Sequence, residues 1–104
     1  MARYNANKIS YAKQEEFTDT FCKVVCNLKT KSAVRDFFKD LLNRQERLML
    51  ARRLLVAELL LEGKTYREIQ RQIQMGPSTI ARIDRWLHFG RGGYKQAIQA
   101  KKQK

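Results

Sequence analysis

An all-α fold is predicted by three features of this sequence. No run alternates β-branched and polar residues as a half-buried strand would, apolar residues recur at helical spacing, and the helix breakers are confined to the second half. The single proline is Pro77, and the five glycines are Gly63, Gly76, Gly90, Gly92 and Gly93, positions that read as punctuation between helices. With 104 residues the chain has room for one structural domain. Its expected parts are a polar arm over 1–11, a three-helix dimerisation region over 12–63, a helix-turn-helix over 64–89, and a glycine-containing connection, last helix and basic tail over 90–104. That makes about six helices in all.

The first helix is predicted from about Ala12 to Leu28, because Phe17, Phe21, Val24, Val25 and Leu28 fall at i, i+4, i+7, i+8 and i+11 and form one stripe. Thr30 or Ser32 can cap a second, shorter helix whose stripe is Val34, Phe37, Phe38 and Leu41, ending near Leu42 or Asn43. A third runs from about Arg44 to Glu62, with Gly63 as its C′ stop. Between Leu54 and Leu61 only Glu58 is polar, so this helix must be covered on several sides. A chain this short covers such a helix poorly alone, and a second copy is expected to supply part of the cover; a central helix wrapped by its own neighbours is the alternative.

Thr65 is placed to open a fourth helix as N-cap, with Glu68 three residues on completing a capping box and Tyr66, Ile69 and Ile73 on its inner face. It should end near Gln74, leaving Met75 and Gly76 as a tight turn and Pro77 at N1 of the next helix, where its fixed φ and missing N–H are best tolerated. In that fifth helix Ile80, Ile83 and Leu87 face inward, which leaves Ser78, Thr79, Arg82 and Arg85 to a partner. A helix pair of this kind places the first turn of its second helix in the DNA major groove. Pro77, Ser78, Thr79 and Arg82 are therefore the candidate base-reading residues, since small side chains permit close approach and an arginine can be bidentate to guanine. Arg67, Gln70 and Arg71 on the fourth helix, with Arg85 on the fifth, are the candidate contacts to the DNA backbone. Two short capped helices with arginines outside can also be a solvated hairpin; the proline at N1, the isoleucine faces and the overall charge together favour the DNA reader.

Charge points the same way. Lys and Arg number 22 against 10 acidic residues, a formal +12, which calls for a polyanionic partner or an anionic membrane surface, and nucleic acid is the commoner answer. Met1 to Ser10 is polar and the most apolar run, Leu54 to Leu61, is eight residues long, so neither a signal peptide nor a membrane span is expected, and the cytoplasm, in association with the bacterial nucleoid, is the expected location. Cys22 and Cys26 lie four apart with no His or Cys nearby to complete a zinc site; they are read as reduced, buried packing residues, and no metal or other cofactor is expected. His88 is the only histidine and has no nucleophile partner, while the adjacent Glu15 and Glu16 diverge on a helix, so nothing here favours an enzyme. The Gly90 to Lys95 segment lacks P-loop spacing and is read as a helix–helix connection in which Gly90 ends the fifth helix as its C′ residue. Lys95 to Lys104 reads as a last helix fraying into a basic end.

Over Asp36 to Leu87 the chain resembles the Trp repressor family. Leu41-Leu42-Asn43-Arg44-Gln45-Glu46-Arg47 is similar to that family's "LLTPDER" region, Glu58 to Gly63 to its "EELLRGE", Thr65 to Ile69 to its "SQREL", and Thr79-Ile80-Ala81-Arg82 to the "TITR" of its recognition helix. The ending Phe89-Gly90-Arg91-Gly92-Gly93-Tyr94-Lys95 resembles more closely the Trp repressor-related branch called YerC/YecD. The resemblance implies an intertwined homodimer and DNA-contact roles for Arg67, Gln70, Ser78, Thr79 and Arg82; Pro77 and Ala81 depart from the family pattern. It also implies a tryptophan pocket between two arginines, matched by Arg53 and Arg82, beside a glycine. Ile83 stands at that glycine and Trp86 replaces a small serine one turn on, so the pocket is expected to be vestigial and tryptophan not required.

The expectation is thus a homodimeric regulator, a repressor by kinship, that reads a near-palindromic operator. The rivals are a protein that coats nucleic acid without reading sequence and a helical protein-interaction module.

Overall fold

The helical periods of the sequence emerge as six α-helices among the residues that the computed structural model describes, 6–102, and no described residue is in a strand. Residues 1–5 of the polar arm and Gln103 and Lys104 of the basic tail lie outside the described residues. The chain divides into two compact units, Met1–Leu41 and Leu42–Lys104.

In the first unit a short 3-10 turn, Ala6–Lys8, precedes α1 (Tyr11–Cys26) and α2 (Lys31–Leu41). Ser10 caps α1, its hydroxyl accepting from the Lys13 amide at 3.3 Å, and Thr30 is the residue that caps α2, accepting from Ala33 at 3.0 Å. Phe21, Phe37 and Phe38 form a triangle of tilted rings with centroids 5.6–6.5 Å apart. Yet neither helix buries a single side chain: Phe17, Phe21 and Val24 are all exposed. Cys22 and Cys26 are free and exposed, which corrects the expectation of buried thiols: α1, which carries them, buries no side chain.

The second unit is α3 (Arg44–Leu61), α4 (Tyr66–Ile73), α5 (Pro77–Phe89) and α6 (Gly93–Lys102). α3 packs against the other three, and α5 lies between α4 and α6. Asn43 does not end α2; it opens α3 through a capping box, accepting from the Glu46 amide at 2.8 Å while its own amide donates to Glu46 Oε1 at 2.9 Å. At the other end Gly63, at φ +86°, closes a Schellman motif: its amide donates to Leu60 O and the Lys64 amide to Leu59 O, both at 3.0 Å. Val56 and Ala57 of α3, Ile69 of α4, Met75 of the turn, Ile80, Ile83 and Leu87 of α5 and Ile98 of α6 make the core.

Two details of the last third go beyond expectation. The last helix expected there is α6, helical to Lys102, and it is anchored: Ile98 enters the core and Lys101 Nζ reaches Glu58 Oε1 of α3 at 3.0 Å. Glu58 thus gains a partner for the one polar position in the apolar stretch of α3. Gly90 ends α5 with φ −84° and ψ −155°, not in the left-handed region. Its glycine is required by contact, since a Cβ there would sit 2.4 Å from the Trp86 carbonyl oxygen.

Candidate nucleic-acid interface

α4 and α5 form a helix pair whose inner faces are fixed by packing. Thr65 caps α4 with Glu68 in a second capping box, and Ile69 at its centre is buried, with Ile73 packed against the core. Tyr66 was expected on the inner face with them but is exposed over about a third of its surface, and its hydroxyl donates to Asp84 Oδ2 of α5 at 2.7 Å. The same carboxylate meets His88 Nε2 through Oδ1 at 3.0 Å. The Tyr66 phenol is held above its ordinary value of 10.0, first by that hydrogen bond to Asp84, then by burial and by the charge of Asp84. His88, read from the sequence as a lone surface residue, therefore has a partner one turn back.

The left-handed residue of the turn between the helices is not its glycine. Gln74 takes the left-handed conformation, φ 60° and ψ 52°, while Gly76 has an ordinary φ of −68° and serves as N-cap of α5. The left-handed residue is fixed from both sides. Its amide donates to Gln70 O at 2.9 Å, and Arg52 of α3 donates through Nη2 to the carbonyls of Gln74 and, at 3.1 Å, Ile73. These contacts satisfy carbonyls that the end of α4 would otherwise leave unpaired. Sequence reasoning passed over Arg52, 21 residues from its acceptor with no local spacing to mark it; Asp84 was findable, since it lies four residues from His88 on one helix.

With Ile80, Ile83 and Leu87 buried, the opposite face of α5 is open. Pro77 and Ser78 are exposed, Thr79 is half-buried, and Arg82 and Arg85 are exposed. A shallow hollow on this face is lined by Ser78, Ala81, Arg82 and Arg85, which brings candidate base-reading and backbone residues to one surface. The N-terminus of α5 has no side-chain cap and no acidic residue in its first turn, so its free amides and the positive end of the helix dipole suit an anion such as phosphate. On α4, Arg67 and Arg71 are exposed and Gln70 is half-buried.

The four residues matched to a ligand pocket border different features of the surface and core. Arg53 lines a hollow with Leu42, Gln45, Glu46, Met49 and Leu50, and Arg82 lines the outer hollow of α5. Ile83 is in the core, and Trp86 borders an apolar cleft with Leu54, Tyr94 and Ala97. Among the described residues no three His, Cys, Asp or Glu side chains cluster as metal ligands, and no helix is long and apolar enough to cross a membrane.

A family model described as Trp repressor protein matches residues 16–102. The Bacillus subtilis (strain 168) protein named Uncharacterized protein YerC is 34% identical over 85 residues, 82% of each chain. Two solved structures share the architecture. A TrpR-like protein from Eubacterium eligens ATCC 27750 has a TM-score of 0.72 at 29% identity, covering 92% of this chain and 94% of its own. A putative Trp repressor from Staphylococcus aureus has a TM-score of 0.74 at 26% identity, covering 96% of both. Six helices in this arrangement, together with the match over residues 16–102, place the chain in the Trp repressor family, on its YerC branch.

Proposed function

We propose that this protein is a transcriptional regulator, acting as a repressor, that binds double-stranded DNA sequence-specifically as a homodimer in the bacterial cytoplasm, without tryptophan as corepressor. The outer face of α5 carries this reading: its first turn offers small and hydroxyl side chains beside two exposed arginines, while three buried aliphatic residues lock the opposite face to the core. Pro77, Ser78, Thr79 and Arg82 are assigned to base edges; Arg67, Gln70, Arg71 and Arg85 to the DNA backbone. The formal charge of +12 favours a polyanion.

A second copy is proposed to cover residues 12–63. Phe17, Phe21 and Val24 of α1 and Leu48, Leu50, Leu54 and Leu55 of α3 are all exposed in the single chain, more apolar surface than a soluble monomer ordinarily leaves uncovered. Two recognition helices would then sit about one DNA turn apart, roughly 34 Å, on a near-palindromic operator. Tryptophan independence is supported by Ile83, which is 1% exposed in the core where the family has glycine, and by the bulk of Trp86 one turn on.

In vitro selection of bound duplexes from a random pool tests the whole reading. A palindrome with half-sites about one turn apart is expected; a bound but unenriched pool would favour a nucleic-acid coating protein instead. On the selected duplex Arg82→Ala should cost about 1–3 kcal/mol and relax base preference, whereas Arg67→Ala should weaken all sequences alike. Specific binding of L-tryptophan in calorimetric titration would overturn the corepressor-free part.

A further inference from the structure

We propose that Arg52 is a positioning residue for DNA reading: it holds the α4–α5 turn in its left-handed conformation and so sets how the first turn of α5 meets a duplex. The inference rests on the DNA-reading assignment of α5.

Two independent observations meet at this turn. Gln74 is the only residue other than glycine with positive φ among the described residues, a conformation that a Cβ disfavours and that persists only when its surroundings enforce it. Arg52 supplies that enforcement. Its Nη2 donates to the carbonyls of two consecutive residues, Ile73 and Gln74, so the guanidinium spans the point at which the chain leaves α4. Met75, two residues from Ile73, is buried in the core, and Gly76 and Pro77 start α5 at once. A change of φ at Gln74 must therefore be absorbed within two residues of the base-reading turn. Arg52 stands on α3, the scaffold helix that touches α4, α5 and α6, so the turn is referenced to the core through a fixed charge-assisted contact. Its guanidinium already has two carbonyl acceptors on its own chain, which makes it a poor candidate for a phosphate contact, unlike the exposed Arg67 and Arg71.

The test compares Arg52→Met, which keeps the aliphatic stem and loses the donors, with wild type in the full chain, adding Gln74→Gly alone and in combination. Glycine reaches the left-handed region without steric cost, so it should relieve the need for Arg52. The expected result has three parts. Arg52→Met weakens binding to the selected duplex about tenfold, with the slope of log K against log salt unchanged and random-duplex binding retained, because nonspecific affinity follows phosphate contacts alone. In the free protein the Gln74 amide, bonded to Gln70 O, exchanges its hydrogen on the order of tenfold faster while Ile83 and Leu87 are unaffected. The double variant recovers most of the lost affinity.

A salt slope smaller by about one with all duplexes weakened alike would make Arg52 a phosphate contact and overturn the proposal, as would unchanged exchange at Gln74. If Arg52→Met does not fold, Arg52→Lys, which replaces the planar donor set by one ammonium, is measured the same way and should move each readout in the same direction by less. Should wild type select no duplex, the DNA-reading assignment fails on that result, and the exchange rates still decide whether Arg52 holds the turn.

Discussion

The two units of the chain use the same kind of amphipathic helix to different ends. α1 and α2 carry clear apolar stripes and bury nothing, whereas every buried side chain among the described residues belongs to α3–α6 and the turn between α4 and α5. Helical periodicity shows which face of a helix is apolar, not which chain covers it. In the second unit a core formed within the chain backs the helix pair, so α5 is presented on packed residues, while outer leucines of α3 stay open. In the first unit three phenylalanine rings gather while Phe17 and Val24 of the α1 stripe stay exposed, part of the surface proposed above for a second copy.

The largest expected effect separates the units directly. Ile80→Ala empties a buried position in the second unit and should lower the unfolding free energy by about 2–5 kcal/mol in denaturant titration, leaving the oligomeric mass by sedimentation unchanged under native conditions. Phe17→Ser, at a position 52% exposed in the single chain, should do the converse: a smaller change in the denaturant midpoint, and a dimer dissociation constant raised on the order of tenfold, the equivalent of about 1.4 kcal/mol. If Phe17→Ser leaves assembly intact, the open stripe of α1 is not where the copies meet.

A smaller effect sharpens the contrast at the start of the second unit. Asn43→Ala removes the side-chain arm of the capping box on α3, the 2.8 Å bond from the Glu46 amide, while the backbone amide at 43 can keep its 2.9 Å bond to Glu46 Oε1, and should cost about 1 kcal/mol. Thr65→Ala removes a longer cap on α4, the 3.2 Å bond from the Glu68 amide, together with an exposed 3.0 Å bond from the Thr65 hydroxyl to Glu68 Oε1 that water readily replaces, and should cost less. Thermal unfolding of the two variants ranks them; equal or inverted losses would mean that cap geometry does not control the stability of these helices.

What was legible in the sequence follows the range of the interactions. Capping pairs, the proline at N1 and the isoleucine spacing are local, and they located α4 and α5 to within a residue or so. The Arg52 contact and the Tyr66–Asp84 bond join residues 18 to 22 apart, beyond any period, so the sequence showed the helix pair without showing what fixes its turn. Gln74 takes the left-handed role that glycine usually fills, with help from another helix, and no local spacing marks it. The sequence shows a last helix but not how it is held: Ile98 looks incidental among lysines and glutamines until α3 and α5 receive it.

The smallest effect concerns the polar link between α4 and α5. Tyr66 donates to Asp84, and the bond favours the protonated phenol, so the Tyr66 value lies above its ordinary one. A raised value in the folded state means a contribution to stability that is complete below pH 10 and lost as pH rises through the folded Tyr66 value. Asp84→Asn removes the charge and weakens the acceptor, and should lower the Tyr66 titration midpoint, followed by phenolate absorbance with Tyr66→Phe as the subtraction control. Because Tyr66 is more than a third exposed, water replaces much of the lost bond and neutral-pH stability should barely change. An unmoved midpoint would show that the Tyr66–Asp84 bond does not hold the phenol in solution, so that core packing through residues such as Ile69 and Ile80, rather than this link, joins the two helices.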